Sequence, residues 1–120
     1  MGQRYAALGL TNKTSTACTV YGYPGLQLVD ARGSARPTEV ERERATAPGL
    51  LVVKPGQTVW ALLHWAVIPA ADEEANNCAP LPATLRVIPP DETTQLTVRF
   101  PVGPVCQHGE IYVRPFGRTG

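Results

Sequence analysis

LTNKTSTACTVYGYPGLQLVD, residues Leu10 to Asp30, reads as three short extended runs joined by turn chemistry. Leu10-Thr11-Asn12 closes one run and leads into the polar turn Lys13-Thr14-Ser15. Cys18 and Val20 share the parity of a second run, and Gly22-Tyr23-Pro24-Gly25 breaks the chain. Leu26 and Leu28 then share the parity of a third, closed by Ala31-Arg32-Gly33. Apolar residues two apart, bounded by Gly, Pro and Asn, are what a half-buried strand requires, because successive side chains of an extended chain point to opposite faces. The stretch predicts β-structure.

The same pattern continues on both sides. Tyr5 to Leu10 is a strand candidate with Leu8 and Leu10 on one face. Leu50 to Val53 is a short apolar run, and the turn Lys54-Pro55-Gly56-Gln57 releases the longest apolar segment, Thr58 to Ile68. Val59, Leu62, Leu63, Ala66 and Val67 of that segment would also suit one face of a helix. The Pro-Gly start, two tryptophans, β-branched ends and short length favour a strand. Leu85 and Val87 mark a strand stopped by Pro89-Pro90; Asp91-Glu92-Thr93 is a turn; Leu96, Val98 and Phe100 alternate; Ile111 and Val113 mark the last strand. About eight short strands with no long helix predict an all-β fold, an immunoglobulin-like or related Greek-key β-sandwich, in one domain spanning residues 1–120. The cysteine-tryptophan-cysteine spacing of an antibody domain is not seen. From Arg32 to Pro48 the only sizeable apolar residue is Val40, beside the charge run Glu39, Glu41, Arg42, Glu43 and Arg44. One valine cannot anchor a helix, so the expectation is a solvated loop, with at most one helical turn from the Thr38 and Glu41 capping-box spacing.

A chain of 120 residues with 11 basic and 10 acidic side chains has a formal charge of +1, too weak a field to hold a nucleic acid backbone or an anionic membrane. Twelve prolines and 11 glycines lie between the apolar runs and punctuate them. No stretch reaches the roughly 18 to 20 apolar residues of a membrane span, and Met1 to Tyr5 carries no hydrophobic signal region. Met1-Gly2 followed at once by a strand-like run is expected of a cut within a longer precursor.

Three cysteines, Cys18, Cys78 and Cys106, show no paired metal-ligand spacing, and no metal or cofactor is expected. Cys78 shortly precedes the Leu85 strand and Cys106 the Ile111 strand. With one hairpin strand between them, both run in the same direction and their starts fall at one end of the sandwich, so a Cys78–Cys106 disulfide is expected. Cys18 is left unpaired.

His64 shares a strand face with Trp60 and Leu62, while Val59, Ala61, Leu63 and Trp65 point the other way. If the second set packs the core, the first needs a cover: an additional strand, a partner or a ligand. Cys106-Gln107-His108-Gly109 does not make a nucleophile, since a reactive thiol needs a base in reach and a lowered pKa. Asp72, Glu73 and Glu74 read as a solvated acidic run, Tyr21 and Tyr23 as a packed corner, and Asn12-Lys13-Thr14 as a chance match to a glycosylation sequon.

In this order, L-T-N, A-C-T-V-Y-G-Y-P-G-L-Q-L-V-D, V-K-P-G-Q-T-V-W-A-L-L-H-W, C-A-P-L-P-A-T-L-R-V-I-P-P, L-T-V-R-F and V-C-Q-H-G, the chain resembles the actinobacterial family known as domain of unknown function 4232. The resemblance runs from Tyr5 to Phe116. It implies a β-sandwich exported from the cell, often as a lipoprotein or part of a larger envelope protein, with no assigned activity and no catalytic residues. Members usually carry a further cysteine on an earlier strand, which implies that this sequence lacks an N-terminal strand and that Cys18 has lost its mate. The resulting expectation is a non-enzymatic, secreted or cell-envelope interaction or structural module. Its partner would be an unknown protein or envelope component, with membrane contact only through an upstream lipid anchor. The alternatives are a carrier of a hydrophobic or glycan ligand on the Trp60, Leu62 and His64 face, and an enzyme of unrecognised type.

Overall fold

The computed structural model describes residues 2–73, 78, 81–90, 96–101 and 103–118. Nine strands form, and no helix, among these residues: β1 (Gln3–Thr11), β2 (Cys18–Val20), β3 (Gly25–Asp30), β4 (Glu39–Arg42), β5 (Leu51–Val53), β6 (Thr58–Ala66), β7 (Pro82–Ile88), β8 (Leu96–Arg99) and β9 (Glu110–Val113). They make a four-stranded sheet β1-β6-β9-β4, a three-stranded sheet β3-β7-β8 and the small pair β2-β5. The fold is all-β and compatible with a β-sandwich; immunoglobulin-like connectivity stays an expectation. No helix among the described residues is long and apolar enough to cross a membrane.

Thr58 to Ala66 settles its ambiguity as an extended strand. Its burial alternates strictly, with Val59, Ala61, Leu63 and Trp65 inside. Leu85 and Val87 of β7 and Leu28 of β3 face them from the other sheet, and Trp65 meets Phe100 at 5.2 Å between ring centroids. Each of the valines and leucines withdrawn from water here contributes roughly 1.5 to 3 kcal/mol, and this shared core holds the two sheets together.

Between β1 and β2 the turn is organised by Asn12, which is 6% exposed. Its side-chain nitrogen donates to the carbonyls of Thr16 and Val53, and its oxygen accepts from the backbone N–H and the hydroxyl of Thr14. Its backbone pairs with Gln57 and Gly56, tying this turn to the one before β6. The amide that a sequon would offer is thus committed inside the fold. Tyr23 is buried with its hydroxyl donating to the Glu43 carbonyl, as a packed corner should be; Tyr21 is instead exposed.

Arg32 to Pro48 departs from expectation. Glu39 to Arg42 is a strand, not a loop or helical turn, and raises the count to nine. It pairs in parallel with β9, Glu39 opposite Glu110 and Val40 opposite Ile111. Val40 alone turns inward, so the run lacks an apolar period and its β-state comes from ladder hydrogen bonds to a strand about 70 residues later. The expected turn at Asp91-Glu92-Thr93 lies outside the described residues.

Candidate functional site

The outer face of the four-stranded sheet carries Trp60, Leu62 and His64, all half-buried. Register places Tyr5 of β1, His64 of β6 and Tyr112 of β9 side by side. The imidazole is parallel to the Tyr112 ring at 4.8 Å and tilted against Tyr5 at 5.3 Å. Its Nε2 lies 2.5 Å from a Glu43 carboxylate oxygen and its Nδ1 3.1 Å from the Gln3 side-chain oxygen, while Arg114 reaches the second Glu43 oxygen at 3.4 Å. The indole of Trp60 lies over Gly9, where an added Cβ would meet it at 2.8 Å. The cover that the sequence requires for this face is therefore partly supplied from the side, by neighbouring strands. Tyr5 at the sheet edge remains 74% exposed.

At one end of this face Glu39, Glu41 and Glu110 bring carboxylate oxygens within 4.8 Å of one another. The Glu110 carboxylate accepts the Tyr112 hydroxyl and, with Glu41 and Glu39 nearby, holds that phenol above its ordinary value.

The second constellation surrounds the disulfide. Cys78 and Cys106 are joined, with Cα atoms 5.3 Å apart, as the topology predicts, and Cys18 on β2 is free and exposed. Cys78, Gln107 and His108 have φ of 45°, 57° and 61°, and are the non-glycine residues in left-handed backbone among those described. Gly109 follows at 80°, with Pro37 so close that a Cβ would stand 1.9 Å from its carbonyl oxygen. Side chains other than glycine adopt this backbone only where the surroundings hold them. Glu73 does so. Its carboxylate accepts the backbone N–H groups of Ala70 and Gln107 at 2.7 Å each and of His108 at 2.9 Å. Burial pushes the Glu73 carboxyl up, but these N–H groups together outweigh it and hold the acid below its ordinary value of 4.5. Glu73 is not the solvated loop acid that the sequence suggests; Asp72, 73% exposed and 3.0 Å from His108 Nε2, is nearer to that description.

Beside the disulfide opens a cleft of about 250 Å³, lined in part by Leu28, Arg36, Pro82, Val105, His108 and the two acids Asp72 and Glu73. Nothing local in the sequence brings Arg36 to Glu73 and His108, since 37 and then 35 positions separate them. A second, apolar groove of about 180 Å³ runs between β1 and β8, past Leu8, Leu10, Leu96, Val98 and Phe116. Neither cleft is formed by Trp60, Leu62 or His64.

No curated protein and no solved structure matches the chain. The profile of the family described as domain of unknown function (DUF4232) matches residues 1–117, nearly the whole chain from β1 to the end of the ladder beyond β9, and the protein belongs to that family.

Proposed function

We propose that this chain is a non-enzymatic module of the cell envelope, exported and acting through contact with another envelope component. The observation that carries the reading is the Cys78–Cys106 disulfide, whose Cys106 half is fully buried. Disulfides of this kind form and persist in oxidising compartments. Membership of a family whose actinobacterial members are typically exported, many as lipoproteins, supports the same location.

The contacting surface in this reading is the outer sheet face around Trp60, Leu62 and His64. Its rings lean on one another and its histidine is engaged by Glu43, which favours a surface that meets a partner over one that wraps a small ligand. One feature speaks for the carrier: the half-exposed indole over Gly9, a place where a sugar ring could stack. The enzyme reading draws on the convergence of Arg36, Asp72, Glu73 and His108 in one cleft. Glu73, however, is committed to backbone, and no Ser, Thr or thiol lines the cleft among the described residues.

Cell fractionation with thiol labelling tests the proposal. The protein should appear in the envelope or medium with Cys78 and Cys106 labelled only after reduction; a cytosolic protein with labelled thiols overturns it. Titration of tryptophan fluorescence with soluble glycans, and its loss in W60A, would replace the module with the carrier.

A further inference from the structure

We propose that the cleft beside the Cys78–Cys106 disulfide binds a small aliphatic carboxylate, with its anionic head on Arg36 and its apolar body against Leu28, Pro82 and Val105. The proposal is independent of the export reading. Arg36 is half-buried, its Nε is shut off from solvent, and that atom has no hydrogen-bond acceptor. It makes no ion pair within 4 Å among the described residues. A guanidinium nitrogen shut off from water loses hydration that only an acceptor can replace.

The other charges of the cleft are already engaged. Three backbone N–H groups hold the Glu73 carboxylate, and His108 stands against Asp72. Among the described residues Arg36 has no ion-pair partner within 4 Å and only the more distant charge of Asp30, and one monovalent anion would complete it. Leu28 and Val105 are buried side chains whose surfaces also reach the cleft, so the cavity has an apolar floor. About 250 Å³ suits a carboxylate of a few carbons and excludes a large ligand. A multiply charged phosphate would face the Asp72 carboxylate across the same space. The disulfide joins Cys78 to Cys106 beside the cleft and Glu73 holds the backbone of Gln107 and His108, which lowers the ordering that binding would require at those residues.

The test is an amide-shift titration of the oxidised, isotope-labelled protein with isovalerate, isovaleramide and inorganic phosphate. Isovalerate should saturate with a Kd in roughly the millimolar range, as befits a ligand of a few heavy atoms, and move the amides of Arg36, Val105, His108 and Gly109. Isovaleramide and the variant R36Q should each weaken binding by about 10- to 100-fold, the worth of a charge-assisted contact, and R36K should keep part of it. E41Q, on the other sheet, should bind as the parent does. Absence of saturation, equal binding of the amide, binding of phosphate in place of isovalerate, unchanged binding in R36Q or weakened binding in E41Q would each overturn the proposal. Should R36Q fail to fold, the acid and amide comparison in the parent and in R36K decides it.

Discussion

Glu73 accepts the backbone N–H of His108 at 2.9 Å from 35 residues upstream, and the same carboxylate takes Gln107 at 2.7 Å. One side chain thus fixes two left-handed residues next to a disulfide. Glu73→Gln keeps the shape but halves the acceptor capacity and removes the charge. It should cost about 1 to 2 kcal/mol, seen as a lower urea midpoint. The pH dependence has a definite sign. Because the folded-state acid titrates below its ordinary value of 4.5, its stabilisation is present above that value and is lost as pH falls through the folded value. The parent should therefore lose stability below about pH 4.5 more steeply than E73Q, which thermal melts at stepped pH would register.

Gly109 and Gly22 separate backbone strain from collision. Both have positive φ, +80° and +109°, but only at Gly109 does an added Cβ meet a neighbour, the Pro37 carbonyl oxygen at 1.9 Å. Gly22→Ala should cost about 1 to 2 kcal/mol, the conformational penalty alone. Gly109→Ala must also push the segment before β4 away from β9, and should cost more than about 3 kcal/mol or prevent folding. Comparing the two urea midpoints tests the difference.

Closing the 28-residue separation between Cys78 and Cys106 should stabilise the domain by about 3.5 kcal/mol on the chain-entropy account. Reduction, or the double substitution C78S and C106S, should lower the melting temperature by roughly 10 to 15 °C. An unchanged melt would mean that the loop is ordered without its cross-link.

Glu39 and Glu110 are direct register partners, and like charges facing each other in a sheet oppose pairing. Glu110→Gln should stabilise the fold by a few tenths of a kcal/mol up to about 1. It should also lower the titration midpoint of Tyr112, whose phenol is held up first by its hydrogen bond to Glu110. An ultraviolet tyrosine titration of the variant reads this directly.

Where one residue's parity decides its face, the sequence was a good guide. β6 is the clearest case: its inward and outward sets were legible from Val59 to Trp65 because burial on a strand follows a period of two. The disulfide followed from strand direction, which hairpin counting supplies. β4 was not legible, because Glu39 to Arg42 offers a single inward apolar residue and owes its state to β9. Glu73 and Arg36 were missed for a related reason. Their roles depend on backbone groups and a cleft assembled from distant segments, and a carboxylate that caps a remote turn looks in sequence like any surface acid.

β9 lies between β6 and β4, although it follows both of them, and every other described strand, in the sequence. The larger sheet therefore has no intermediate form in which β4 is already docked on β6. Until Glu110 to Val113 have emerged, β4 has no ladder to join and the inward side of β6 is short of Ile111 and Val113. Closure of the larger sheet must wait for β9, so a nascent chain stays open, and its thiols stay accessible to oxidants, until Glu110 to Val113 are free to pair.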